Sequence, residues 1–262
     1  MTGLFDTHTH LADPRYDGEI EAVIERMLGA GVSLALVMGD GAEDPEGAFA
    51  LASRYSFLYA AVGVHPHDAS ALDDARLFRL RGWMAGERVV ALGEIGLDYY
   101  YDRSPREAQR AAFAAQLELA EELRAPIILH VRDAHGDATE LISARKGRLP
   151  SGVMHCYTGS WESAKRYLDM GLYISLSGAV TFKNAPKLRE VAEKLPADRL
   201  LIETDCPYLS PEPLRGRRNE PAHLRYTAER VAEIRGIEPE ELAASAAANG
   251  RRLFGIPAAG PN

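Results

Sequence analysis

The chain is punctuated by eight short apolar runs, each followed by a longer segment of helical period. That alternation limits the fold more than any other feature. Strands are predicted at Leu4–Asp6, Ser33–Val37, Leu58–Gly63, Val89–Leu92, Ile127–His130, Gly152–Met154, Leu172–Ser175 and Leu200–Glu203. Helical segments fall between them. The clearest is Arg106–Leu123, where Phe113, Leu117 and Ala120 share one face, with Ser104 as its N-cap, Pro105 as its first helical residue and Glu107 completing a capping box. Eight strand-then-helix units in 262 residues match the size of a single α/β barrel of the TIM-type (β/α)8 kind, which needs about 250 residues. A doubly wound open sheet is disfavoured because no GxGxxG turn follows the first strand. No linker, repeat or charge block divides the chain. Residues 1–256 are therefore read as one barrel domain and 257–262 as a short frayed tail.

Composition narrows the function. Hydrophobic residues make up 46% and charged residues 26%, which excludes a disordered or collagen-like chain. Thirty Lys and Arg against 38 Asp and Glu leave a net charge of −8, so a polyanion must be met through a local basic patch or bound cations. Cys156 and Cys206 form no CxxC pair and suit a reducing compartment. The start, Met1-Thr2-Gly3-Leu4-Phe5-Asp6, lacks the pattern of a signal peptide. Apolar runs such as Pro126–Leu129 are far too short to span a bilayer. A cytoplasmic protein with no membrane partner is expected.

The notable polar residues cluster at the predicted strand ends, where a barrel carries its functional groups. The first strand runs into Asp6-Thr7-His8-Thr9-His10, and residues two apart on an extended backbone point the same way. The fourth runs into Gly93-Glu94, where an ionised carboxylate closing a buried strand is costly unless paired or metal-bound. The fifth ends in His130, the sixth in His155 and the eighth in Glu203-Thr204-Asp205. Taken singly, each residue reads as a hydrogen-bonded structural group or a helix cap. Taken together, they surround one cavity with nitrogen and oxygen donors. Four imidazoles with carboxylates suit Zn²⁺, Mn²⁺ or Fe²⁺ better than an all-oxygen Mg²⁺ site. Six ligands exceed one tetrahedral ion, so two ions bridged by a carboxylate are expected, suited to displacement at phosphorus. Cys156 and Cys206 each follow a candidate ligand, so strand alternation turns both thiols away from the site.

These motifs resemble the TatD family of metal-dependent deoxyribonucleases. The resemblance rests on Asp6-Thr7-His8-Thr9-His10, Gly93-Glu94-Ile95-Gly96-Leu97-Asp98-Tyr99 and Glu203-Thr204-Asp205-Cys206-Pro207. It extends to Gly63-Val64-His65-Pro66-His67, His130-Val131-Arg132-Asp133-Ala134, His155-Cys156-Tyr157-Thr158-Gly159, Thr181-Phe182-Lys183-Asn184 and Arg217-Arg218-Asn219-Glu220-Pro221, covering residue 4 to about residue 254. It implies a barrel of the amidohydrolase type with two, sometimes three, divalent ions (Zn, Mn or Mg). One ion would take His8, His10, Glu94 and Asp205. The other would take Glu94, His130 and His155, with Glu94 bridging. His65 would lie at the edge, on substrate phosphate or a further ion.

The expected reaction is metal-assisted phosphodiester hydrolysis; the resemblance implies a 3′→5′ exonuclease acting on DNA 3′ ends, and a monomer is expected. Asp205 is the candidate proton acceptor for the attacking water, Glu94 the bridge, and Glu203 a group that orients water or a ligand histidine. Substrate contacts are expected from His65, Arg132, Lys183, Arg217, Arg218 and Asn219, since Arg215, Arg217 and Arg218 form a dense basic cluster near the predicted mouth. Tyr99, Tyr100 and Tyr101 either stack on a base or pack against the rim. His67, His135 and His223 carry no assigned role. Two other readings compete. One is hydrolysis of another ester or amide, such as a D-aminoacyl-tRNA ester. The other is a non-catalytic metal-binding interaction protein.

Overall fold

The apolar runs pair side by side into one all-parallel sheet whose strand order follows the chain. The computed structural model describes residues 1–39 and 45–257; most of the predicted tail, residues 258–262, lies outside the described residues. The strands are β1 (Leu4–Thr9), β2 (Val32–Gly39), β3 (Leu58–Val62), β4 (Val89–Asp98), β5 (Ile127–Arg132), β6 (Gly152–Met154), β7 (Tyr173–Leu176) and β8 (Leu200–Ile202). β8 returns to β1 through a parallel bridge between Thr9 and Cys206. There Asp205 N–H donates to His8 O at 3.0 Å and His10 N–H to Cys206 O at 2.8 Å. The predicted TIM-type barrel is the observed fold.

Helices follow the strands: α1 (Ile20–Gly29), α2 (Glu46–Arg54), α3 (Asp74–Trp83), α4 (Arg106–Leu123), α5 (His135–Ser143), α6 (Trp161–Asp169), α7 (Pro186–Lys194), α8 (Leu224–Arg235) and α9 (Pro239–Phe254). The core has two layers because each strand buries both faces. In β2, Leu34, Leu36 and Met38 join the cluster inside the barrel, while Ala35 and Val37 join the cluster between sheet and helices. α9 adds Leu253 and Phe254 to the inner cluster, with the Phe254 ring edge-on to Phe5 at 6.2 Å.

α4 spans the predicted residues, but its start is built differently. Pro105 occupies the capping position and no side chain caps the helix. The Ser104 hydroxyl instead donates to His67 O at 2.8 Å and accepts from Ser70 N–H. A tertiary contact to the loop after β3 has taken the hydroxyl that the local pattern assigns to a cap.

The largest departure from the predicted strands is β4, which continues through Asp98. Its register against β5 shifts between Leu92 and Ile95. Before the shift Ala91 belongs to the inner cluster and Leu92 to the outer one; after it Ile95 and Leu97 are outer. The irregularity therefore reverses the pleat and turns Glu94, Gly96 and Asp98 inward, as bulges re-aim side chains beside active sites. Gly96 has φ 146°, and a Cβ there would collide with the His130 carbonyl. Only glycine permits β4 and β5 to approach so closely at this point.

Candidate metal centre

At the C-terminal end of the barrel the strand ends surround a cavity of about 650 Å³, lined in part by His10, His65, Glu94, His130, His155 and Asp205. Glu94 is its hub. Its Oε1 lies 2.6 Å from both His130 Nδ1 and His155 Nε2, and 3.5 Å from His65 Nε2. Its Oε2 lies 3.2 Å from His8 Nε2 and 3.9 Å from His10 Nε2. Asp205 Oδ1 faces the same pair, 3.4 Å from His10 Nε2 and 3.8 Å from His8 Nε2. The rings of His8 and His155 stack at 4.0 Å and join the two halves.

This donor set fits divalent cations. His8 Nε2 and His10 Nε2 are 3.3 Å apart, as are His130 Nδ1 and His155 Nε2. Tetrahedral bonds of about 2.0–2.1 Å to imidazole place neighbouring ligand atoms roughly 3.3–3.4 Å apart. Among the described residues, ligand atoms converge within 4.8 Å in the sets His8–His155–Asp205, His8–His10–Glu94 and His65–Glu94–His130.

Charge supports the fit. Burial pushes the Glu94 carboxyl up, but His155, His65 and His8 outweigh it and hold the group well below the usual carboxylate range. Asp205 is likewise lowered: burial opposes, and a hydrogen bond from His10 with the charges of His155 and His8 prevails. Burial, aided by His155, lowers His8 and keeps its lone pair free of a proton. Burial also opposes a proton on His155, yet Glu94 and Glu203 raise it well above the ordinary histidine value. Two carboxylates held below their ordinary range and facing five imidazoles make a donor set suited to divalent cations.

Groups behind these side chains fix them. Asp6 is fully buried at the barrel seam, accepting from Thr204 N–H at 2.9 Å and from the Thr204 hydroxyl at 2.6 Å. Burial pushes its carboxyl up to about 8. Glu203, expected to orient water or a ligand histidine, is buried outside the cavity lining. It accepts from Cys156 N–H at 2.6 Å and lies 3.3 Å from His155 Nδ1, the placement of a carboxylate behind a ligand histidine.

The structure also brings in residues that the sequence reading passed over. Asp98 Oδ2 lies 3.2 Å from His130 Nε2 and 3.0 Å from His67 Nε2. Its Oδ1 accepts from the backbone N–H groups of Tyr100 and Tyr101. The signal was available: Asp98 stands four residues after Glu94, in phase on the same strand. His67, Arg103 and Tyr208 line the cavity as well.

The predicted substrate residues divide. His65 and Arg132 line the cavity; Lys183, Arg217, Arg218 and Asn219 do not. Lys183 is exposed beyond it. Arg217 points to solvent off the lining, while Arg218 pairs with Glu19 at 2.7 Å and Glu220 at 3.2 Å. Arg215 lies over Phe182 at 3.9 Å. Asn219 is wholly buried: its amide donates to Thr204 O and Tyr208 O, and its oxygen accepts from Glu220 N–H. Acidic and aromatic neighbours from distant segments engage the Arg215 and Arg218 guanidinium groups, while Arg217 stays exposed. Two further expectations resolve here. Cys206 is buried in the core, but Cys156 has φ 42°, so strand alternation ends before it and it reaches the cavity wall. His135 lies against the Tyr167 hydroxyl at 2.9 Å and His223 against Asn219 Oδ1 at 3.0 Å, both structural contacts.

Comparison with known proteins decides the lineage. The profile of the family described as TatD related DNase matches residues 5–255. The chain belongs to the TatD family. Its TatD relatives include the uncharacterized metal-dependent hydrolase YabD of Bacillus subtilis, 44% identical over 253 residues, with 97% of this chain and 99% of that protein covered. The 3′-5′ ssDNA/RNA exonuclease TatD of Cronobacter sakazakii is 40% identical over 256 residues, covering 96% and 97%. Among solved structures, YjjV, a TatD homologue from Escherichia coli K12, superposes with a TM-score of 0.91 at 33% identity, covering 97% of this chain and 98% of that one. Among the described residues no helix is long and apolar enough to cross a membrane.

Proposed function

We propose that this TatD-family hydrolase is a nuclease that removes nucleotides from the 3′ ends of DNA, with two divalent ions (Zn²⁺, Mn²⁺ or Mg²⁺) held by His8, His10, Glu94, His130, His155 and Asp205. The observation that carries the reading is the placement of the Glu94 carboxylate, with one oxygen against His130 and His155 and the other against His8. A pair of ions bound there would activate water and neutralise charge on the phosphate. His65 extends the ligand field on the Oε1 side and marks where a third ion or a phosphate oxygen would bind.

The protein's own groups supply the remaining steps. Asp205, whose carboxyl His10, His155 and His8 hold below its ordinary value, opens partly to the cavity and accepts the proton of the attacking water. Arg132 and Arg103 line the mouth, lie against the rings of Tyr100 and Tyr101, and have no ion-pair partner among the described residues, so their charge is available to a phosphate. Glu203 and Asp98 keep His155 and His130 oriented. The free thiols of Cys156 and Cys206 suit a reducing cytoplasm, and we take residues 1–256 to act as one monomeric domain.

The test is stepwise hydrolysis by protein reconstituted with Zn²⁺, Mn²⁺ or Mg²⁺ in turn, on single-stranded DNA, single-stranded RNA and D-aminoacyl-tRNA. Ladders that shorten from the 3′ end of DNA support the reading. Release of the amino acid with intact phosphodiesters overturns it in favour of ester hydrolysis.

A further inference from the structure

Five large apolar side chains stand exposed among the described residues, and three of them, Tyr100, Tyr101 and Tyr208, lie at or beside the mouth of the metal-site cavity. Tyr101 lines one wall and Tyr100 lies beside it. Their rings meet edge-on at 4.9 Å, and the Arg132 guanidinium lies 3.9 Å from one centroid and 4.8 Å from the other. Tyr208 occupies another wall, with the Arg15 guanidinium 4.3 Å from its centroid. Arg103 also lies 5.5 Å from the Tyr101 centroid, and about half of each tyrosine remains exposed: 59% of Tyr100, 51% of Tyr101 and 47% of Tyr208.

These rings are exposed but not loose. Asp98 Oδ1 accepts from Tyr100 N–H at 3.0 Å and Tyr101 N–H at 2.9 Å. Tyr208 N–H donates to Asp205 O at 3.0 Å, and its carbonyl accepts from the buried Asn219 amide. Arg15 is held in a fork by Asp13. Aromatic surface kept open on an anchored backbone is pre-organised for a flat ligand.

Both platforms reach the same carboxylate. The Tyr208 ring lies 5.8 Å from the His10 ring, and His10 Nε2 lies 3.9 Å from Glu94 Oε2. The Tyr101 ring lies 5.5 Å from His67, which lies 4.2 Å from His65, whose Nε2 lies 3.5 Å from Glu94 Oε1. One aromatic and arginine surface thus leads through His10 to Glu94 Oε2, and the other through His67 and His65 to Oε1.

We infer that Tyr101 with Tyr100 and Arg132 on one wall, and Tyr208 with Arg15 on the other, form a two-base clamp that stacks the unpaired nucleobases either side of the bond to be cut. The inference rests on the nuclease reading and deepens it by naming the side chains that hold the last two bases of an unpaired strand on two separate walls. A paired end cannot present both bases this way without melting. Every base offers a π-face, so the clamp is indifferent to sequence.

The test measures binding separately from turnover. Metal-loaded protein is titrated with fluorescent single-stranded oligonucleotides whose terminal linkage is a non-hydrolysable methylenephosphonate. One carries normal bases; two others are abasic at the last or the penultimate position. Wild-type protein is expected to bind each abasic strand about tenfold more weakly. Tyr101→Leu and Tyr208→Leu should each lose about tenfold on the normal strand and little further on one matching abasic strand, while Tyr101→Phe and Tyr208→Phe retain wild-type affinity. Both tyrosines are at the rim, and unchanged melting temperatures verify folding. Equal binding of normal and abasic strands, or leucine variants with wild-type affinity, overturns the clamp. The two readings fail differently. A protein that shows this base dependence but cleaves no phosphodiester refutes the nuclease reading and retains the clamp. A protein that trims strands with no base dependence refutes only the clamp.

Discussion

Asp98 Oδ2 stands 3.2 Å from His130 Nε2, on the opposite side of the ring from the Nδ1 that meets Glu94. The imidazole is held between two carboxylates. A carboxylate behind a ligand histidine fixes its ring and tautomer and raises its basicity. Asp98→Asn should therefore lower metal affinity and turnover by about 10- to 100-fold while leaving the barrel folded. Metal titration followed by calorimetry, alongside circular dichroism, checks this. Wild-type affinity in the variant would remove Asp98 from the centre.

Asp205 carries a different expectation because it opens to the cavity while Asp98 lies behind a ring. Asp205→Asn retains shape and one oxygen donor but loses the negative charge that accepts a proton. Turnover should fall by at least about 10²-fold, the lower end of general-base contributions, with the melting temperature little changed. Initial rates on a defined oligonucleotide decide it. A variant retaining near-wild-type rates would show that another group takes the proton.

How much of this was legible in the sequence follows from how local each signal is. The barrel could be read because each strand is a short apolar run bounded by its own helix, and the ligands because each stands at or near the end of such a run. What escaped depends on distant partners. The reversal of the pleat in β4 is a property of its pairing with β5, so the full reach of the strand to Asp98 was not apparent. The basic run Arg215–Asn219 looked like a phosphate grip because its charges are visible in sequence while their partners, Glu19, Tyr16 and Phe182, come from elsewhere. Ser104 was assigned to a helix cap for the same reason, although its hydroxyl serves the His67 loop.

Asn219 is bonded as a structural residue. Its amide and carbonyl oxygen bind the backbone of Thr204, Tyr208 and Glu220, all near the end of β8. Asn219→Ala strands buried backbone groups without partners, at about 1–3 kcal/mol for such a group. We expect a lowered melting temperature and, because Asp205 and Tyr208 share this segment, reduced turnover. Arg217→Ala, by contrast, should leave both stability and oligonucleotide affinity near wild type. A tenfold affinity loss on removing Arg217 would restore the loop as a substrate contact.

Glu220 links the same segment to α1, since Arg26 donates to it through two nitrogens at 2.7 and 2.9 Å and Arg218 adds a third contact. Partial burial raises its carboxyl, but these arginines outweigh it and lower the group below its ordinary value. A depressed folded-state pKa means that the unfolded chain takes up the proton first as pH falls. The contribution is then complete at pH values above the unfolded carboxylate range near 4.3 and is lost as pH drops through the lower folded value. Glu220→Gln should cost about 1 kcal/mol at pH 7, a modest figure because the arginine partners remain partly solvated. The difference from wild type should close below about pH 4. Urea unfolding of both proteins at pH 7, 5 and 3.5 measures it, and a penalty that persists undiminished at pH 3.5 would mean that Glu220 acts through packing rather than charge.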